Sequence, residues 1–362
     1  MRQYIYVALI LLFGIATVWV VIYTLTSGGG EVGSAYARPK GRYDSFLVTY
    51  FSGIVKPPHF PETRNAQGPF PSFSPASYEE TRELLGTKFR IGVYAKDKKF
   101  ERSLARSAVD DAFRRIEEID DRVNLTKEES EVSKINRDAF SRPVRLSDDL
   151  YFVIKRAMEV SDRSSGAFDI TSGPLRWLWE TYGSQGEVPP SEKIVEARAL
   201  VGYRDVEIDS GKHTIRLKRK GMVIDLHDIM RGFALDQAAY VLKRQGMTPG
   251  FIQAEDSCYL LDHPEGLPYV IGIPDGQGFL KYTFDADRPA VVIKGAYKGA
   301  RIVGTTVVGG MVDPRSGTCV GMVASCTVVG PDAMTCDALA TALCVMGGSK
   351  AINFVNSFNP GE

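Results

Sequence analysis

Asp337 and Thr341 stand four residues apart in a run whose apolar members, Met334, Ala338, Leu339, Ala342, Leu343 and Met346, recur at helical spacing. Residues four apart share a helix face, so the carboxylate and the hydroxyl point the same way. Two hard oxygens so placed are ligands of the kind that Mg²⁺ or Ca²⁺ accepts, with backbone carbonyls or phosphate oxygens completing the shell. A plainer alternative stays open: Asp337 complements the positive end of the helix dipole, and Thr341 bonds back to a carbonyl.

Positioning that pair requires a defined start to the helix. Gly330-Pro331-Asp332 breaks the chain and offers Asp332 as N-cap, while Gly347-Gly348 ends the helix. Before it, Met322 to Val329 is apolar and β-branched, the pattern of a buried strand. Asp313-Pro314-Arg315-Ser316-Gly317 is a turn that holds Asp313 and Arg315 outward.

Further upstream, alternation of Phe89, Ile91 and Val93 predicts a strand over Thr87 to Ala95, and Leu104, Ala108, Ala112, Ile116 and Ile119 predict the core face of a helix after it. Ser130 to Asn136 has the pattern of a short capped helix. Helices are also expected over Asp148 to Asp162 and Pro189 to Leu200, with a hairpin over Val206 to Leu217. Gly166 to Leu175, GAFDITSGPL, is expected as a loop that carries positioned polar groups. Gly221 to Leu226 is expected as a strand leading through His227-Asp228-Ile229-Met230-Arg231-Gly232 into a helix, a unit that can turn helix-end N–H groups toward a phosphate. From Phe251 to Val308, apolar runs and Gly/Pro/Asp turns predict several antiparallel strands.

The 362 residues carry 44 Lys and Arg against 44 Asp and Glu, a balance that provides no field for nucleic acid. Five cysteines without a Cys-x-x-Cys pair suggest neither a zinc ribbon nor a thioredoxin-type site; they read as small core hydrophobes. Tyr4 to Leu25 is uncharged and mostly apolar over 22 residues, long enough for a transmembrane helix. Ala35-Tyr36-Ala37 fits a signal-peptide cleavage pattern, but the apolar core is long and far upstream of it, which favours a retained anchor. Arg2 and the group Arg38, Lys40 and Arg42 pull the orientation in opposite directions. The expected organisation is an anchor or signal segment over 1–26, a Pro/Gly/Ser-rich linker over 27–77 and an α+β domain over 78–362. Phe46 to Val55 is an apolar island within that linker, expected to dock on the domain as a strand.

Four segments in order, SEVSKIN, GAFDITSGPL, VIDLHDIMRGFALD, and VDPRSG followed by PDAMTCDALATAL, resemble the bacterial FAD:protein FMN transferase family of ApbE type. The resemblance covers Leu85 to Gly347. It implies an ApbE-like α+β flavin transferase domain and Mg²⁺-dependent transfer of FMN from FAD to a Ser or Thr of an acceptor flavoprotein subunit, releasing AMP. Its alternative is a catalytically degenerate descendant that binds a flavin or a partner. By carry-over, Asp337 and Thr341 are metal ligands, with a backbone carbonyl from the Thr171 to Gly173 loop, assigned to Gly173, as a third. Ala167, Phe168, Asp169, Arg231 and Asp236 bind FAD, the last on its adenine-ribose side. With the apolar segment, the resemblance implies a membrane-anchored domain on the periplasmic side.

Several positions depart from the family. Thr126 stands where it has a stacking Tyr, and Gly310 where it has a His able to serve as base; His227, the one histidine within the matched motifs, or an acid beside it is the candidate for that role. His227-Asp228 replaces two glycines, and Glu255-Asp256 replaces two more. Acids at 228, 255 and 256 around a diphosphate are expected to oppose binding by repulsion unless an extra metal intervenes. The family also continues with another strand beyond the position of Glu362, so the chain is expected to be a fragment or to close its sheet differently.

Overall fold

The computed structural model describes residues 23–24, 30–36, 47–53, 76–94, 101–255, 257–264, 269–274, 279–284, 289–295, 300–320 and 325–357. In chain order the strands are β1 (Tyr23–Thr24), β2 (Gly30–Tyr36), β3 (Leu47–Gly53), β4 (Tyr78–Leu84) and β5 (Thr87–Val93), followed by helices α1 (Glu101–Val123) and α2 (Glu131–Asp138). Next come β6 (Val144–Arg145), α3 (Asp148–Arg163), α4 (Gly173–Gln185), α5 (Ser191–Arg198), β7 (Val206–Asp209), β8 (Thr214–Leu217) and α6 (His227–Arg244). The remainder holds β9 (Gly250–Ala254), β10 (Ser257–Leu260), β11 (Tyr269–Pro274), β12 (Phe279–Phe284), β13 (Ala290–Gly295), β14 (Arg301–Val303), β15 (Thr306–Val308), β16 (Ser325–Gly330), α7 (Ala333–Met346) and α8 (Gly348–Asn356).

Nine strands form one sheet in the order β1-β2-β3-β16-β13-β10-β9-β5-β4, with every pairing antiparallel. The expected α+β class is therefore borne out. Helices α1, α6 and α7 pack on this sheet, with α6 in contact with both α1 and α7. On α1 the buried stripe is Ala105, Ala108, Val109, Ala112, Phe113, Ile116 and Ile119, whereas Leu104, expected on that stripe, is exposed. Every residue of α7 from Ala333 to Val345 is buried. A helix covered on all sides is a central one, so any charge it carries needs a partner inside the protein. The cysteines are unpaired by disulfides, and Cys258, Cys326, Cys336 and Cys344 are buried; burial pushes the thiols of Cys258, Cys326 and Cys336 up, consistent with a packing role.

Local expectations hold where a single periodicity decides them. Asp332 caps α7 by accepting the Thr335 N–H at 2.8 Å, and Ser130 caps α2 by accepting that of Ser133. The apolar island is β3, which pairs with β16. Two expectations change. Gly221 to Leu226 is not a strand but an extended connector, fixed by the Asn136 side chain on the Ile224 backbone at 2.6 and 3.0 Å and by the Asp225 N–H on the Ile170 carbonyl at 2.7 Å. In addition, α6 begins at His227 itself, so His227 to Arg231 are its first turns rather than a turn before it.

The transmembrane helix over Tyr4 to Leu25 is corrected. Tyr23–Thr24, near its end, are β1, whose backbone pairs with Val32 and Glu31 of β2. Among the described residues no helix is long and apolar enough to cross a membrane, and the residues before Tyr23 lie outside that set. The membrane as a partner and the membrane-anchored, periplasmic placement lose the helix they rested on and are withdrawn.

Candidate active site

A cleft of about 750 Å³ opens beside the start of α6. Its walls bring together the turn at Gly86, the end of α1 with Thr126, the Ala167–Ile170 loop, Asp225 to Asp228 with Met230 and Arg231, Lys294 on β13, Gly309 to Val312, and Thr341 on α7. Helix α6 reaches this position because Gly232 lets it cross α7 closely: a Cβ there would meet the Ala333 carbonyl oxygen at 2.2 Å.

At the floor, one ammonium group organises the acids. Lys294 Nζ donates to Thr341 Oγ1 at 2.7 Å, to Asp228 Oδ1 at 2.9 Å and to the Asp228 carbonyl at 3.3 Å. It also forms an ion pair with Asp337 Oδ1 at 2.9 Å, outside the angles of a hydrogen bond. The other Asp337 oxygen accepts the Gly232 N–H at 3.1 Å, and the Thr341 hydroxyl donates to the Asp337 carbonyl at 3.2 Å. Burial alone would lower the Lys294 pKa, but Asp228 and Asp337 more than offset it and hold the amine protonated. Burial likewise pushes the Asp228 carboxyl up, and the Lys294 charge pulls it well below the ordinary range.

Two of the three acids expected to repel a diphosphate are paired. Besides Asp228 with Lys294, Glu255 takes Arg231 Nη1 at 2.7 Å, and Asp225 takes Arg176 Nη2 at 2.6 Å. Asp256 lies outside the described residues. Glu255 sits at φ +50°, the left-handed region that the glycine expected there from the resemblance would enter without strain. Arg231 lines the cleft, and its buried Nε has no hydrogen-bond partner among the described residues. A half-buried guanidinium on a cleft wall suits an anionic ligand.

A family model described as the ApbE family matches residues 85–361. The chain belongs to the ApbE family. Curated relatives are enzymes of that family: the FAD:protein FMN transferase of Treponema pallidum is 25% identical over 308 residues, covering 78% of this chain and 82% of that protein. The one from Vibrio cholerae is 27% identical over 247 residues, covering 66% and 73%. Among solved structures, the ApbE protein of Thermotoga maritima superposes with a TM-score of 0.67 at 31% identity, covering 78% of this chain and 90% of that one.

Against this ApbE framework, the expected site residues divide. Ala167, Phe168, Asp169, His227, Arg231, Gly310 and Thr341 line the cleft. Asp169 is buried and accepts from the Thr171 hydroxyl at 2.6 Å and from the Thr171 and Tyr203 N–H groups, which shapes the loop; burial nonetheless raises its carboxyl. Gly173 opens α4, packed against Val223 and Asp225, and is not among the lining residues. Asp236 is not among them either. Its two oxygens accept the N–H groups of Ala333 at 2.7 Å and Met334 at 2.9 Å, so it caps α7 from α6. Gly310 sits at φ +69°, where a side chain would be strained.

Lys294, Arg176 and Arg301 line the cleft and were not anticipated. For Lys294 a signal existed: a lone charge in the apolar strand Ala-Val-Val-Ile-Lys-Gly must meet an anion inside the fold.

Burial and the nearby Asp332 and Asp337 raise the Asp236 carboxyl well above the ordinary 3.8. A raised folded value means that its stabilising share is fully present below the unfolded pKa and is lost as pH rises through the folded one. Wild type is therefore expected to lose stability relative to Asp236→Asn as pH rises from about 4. Urea midpoints at stepped pH check this, and a constant gap would rule it out.

Proposed function

We propose that this chain transfers FMN from FAD to the hydroxyl of a Ser or Thr on a partner protein, with release of AMP. The observation that carries the reading is the cleft within the family-matched region, with the half-buried Arg231 on its wall beside the start of α6. In the reaction the acceptor oxygen bonds to the FMN phosphorus, the bond from that phosphorus to the bridging oxygen breaks, and AMP leaves with that oxygen. The hydroxyl proton passes to a base.

Arg231, Arg176 and Arg301 supply positive charge along the cleft for the diphosphate. The first turn of α6 adds N–H dipoles from the same side. His227, exposed on that turn, is the candidate base in place of the missing histidine at Gly310. His227→Ala is expected to slow transfer by about 100-fold, within the range of general-base catalysis. Equal AMP release by the variant and wild type would remove His227 from the mechanism.

The Mg²⁺ implied by the resemblance does not fit the residues present. Asp337 Oδ1 and Thr341 Oγ1 both face Lys294 Nζ, and Asp337 Oδ2 is taken by Gly232. An ion about 2.0–2.1 Å from such oxygens would lie close to the ammonium they face, and like-charge repulsion opposes its entry.

A second reading, flavin binding without turnover, is favoured by Gly310, which presents no side chain where the resemblance places a base. Incubation with FAD and a Ser/Thr acceptor peptide, followed by mass spectrometry, separates the two. The expected result is a peptide heavier by one FMN with an equal yield of AMP. Bound FAD without an adduct would select the second reading, and no FAD binding would defeat both.

A further inference from the structure

The geometry points to Lys294 as a resident cation that takes the place of a divalent metal in this chain, so that its Asp337/Thr341 corner works without a metal ion. Four oxygens surround the ammonium: Thr341 Oγ1 at 2.7 Å, Asp228 Oδ1 and Asp337 Oδ1 at 2.9 Å, and the Asp228 carbonyl at 3.3 Å. A lysine has three N–H donors, and the first, second and fourth of these oxygens use them all. Hard oxygens from carboxylate, hydroxyl and carbonyl groups are the set a Mg²⁺ shell draws on, and the protein has turned them onto its own side chain.

The corner is closed from the other side as well. Lys294 is 5% exposed and Asp337 is 1% exposed, and the Thr341 hydroxyl spends its proton on the Asp337 carbonyl. A divalent ion entering would have to expel an ammonium whose release leaves a buried charge to be rehydrated. The lysine also joins β13, α6 and α7 at one point, so the charge that helps define the cleft floor is built in during folding. Asp228 stands at a position where the resemblance has glycine, and it is one of the groups that hold the ammonium. Removing the ammonium exposes two carboxylates and a hydroxyl to the same point, an arrangement that a divalent cation can occupy.

Mn²⁺ alone serves as the probe, with free ion counted by electron paramagnetic resonance on the full chain. Wild type and Asp337→Asn are expected to bind the same amount of Mn²⁺, because neither offers the corner to a metal. Lys294→Ser is expected to bind one further equivalent. One equivalent bound by wild type and lost in Asp337→Asn would overturn the inference, as would a folded Lys294→Ser that gains none. Should the serine variant fail to fold, the comparison of wild type with Asp337→Asn still decides.

The nucleotide consequence rests on the transferase reading: FAD affinity of wild type is expected to be equal in EDTA and in Mg²⁺. A tenfold gain with Mg²⁺ would overturn the inference. Absence of FAD binding in both would defeat the transferase reading and leave the Mn²⁺ result standing.

Discussion

Lys294→Met is expected to lower folding stability by about 3–5 kcal/mol, the cost of leaving a buried carboxylate without its cation. Methionine keeps most of the stem volume, so the loss reports the ammonium rather than a cavity. Asp337, 1% exposed, loses the lysine charge, while Asp228 keeps about a third of its side-chain surface and can turn to water. The double variant Lys294→Met/Asp337→Asn is accordingly expected to recover part of the loss, because an amide needs no counter-charge. Urea denaturation of the four members of this cycle measures it. A single-variant loss below about 1 kcal/mol would place the pair with exposed ion pairs and end the argument for a buried cation site.

Gly232→Ala is the second large effect. An added Cβ would lie 2.2 Å from the Ala333 carbonyl oxygen, 2.6 Å from its carbon and 2.7 Å from the Met334 Cα. All three are backbone atoms at the start of α7, so no rotamer change relieves the contact and α6 must move away. We expect a loss of about 3 kcal/mol or more. The displacement would also stretch the Gly232 N–H contact to Asp337 and the Asp236 cap on α7, both of which span the same crossing. Flavin affinity is expected to fall with stability, since His227 to Arg231 ride on α6. Thermal unfolding and FAD titration of the variant test the pair of effects, and a protein that melts with wild type would show that the helices can separate without cost.

Much of the local structure is legible in the residues alone. Asp332 reads as the cap of α7, Ser130 as the cap of α2, and the alternation at Phe89, Ile91 and Val93 as β5, because each depends on neighbours within one turn or one strand. The start of α6 is not written locally. His227-Asp228 lacks a capping pattern, and the helix is anchored instead by the connector that Asn136 holds from 88 residues away. Asp236 illustrates the same limit for function: its place in a matched motif suggests a nucleotide contact, whereas the fold turns it onto the backbone of α7, 97 residues on.

By itself, the sequence determined that Asp337 and Thr341 share a helix face, that the chain has the motif order of the ApbE family, and that Gly310 and Glu255 break its pattern. What fills the Asp337/Thr341 corner was decided only by tertiary structure. Lys294 reaches Thr341 across 47 residues and Asp228 across 66, through the pairing of β13 and the crossing of α6 with α7. Helix periodicity is a property of adjacent turns and is written locally. The counter-ion of a buried carboxylate is whichever charge the packed core brings within about 3 Å, and no spacing along the chain records it.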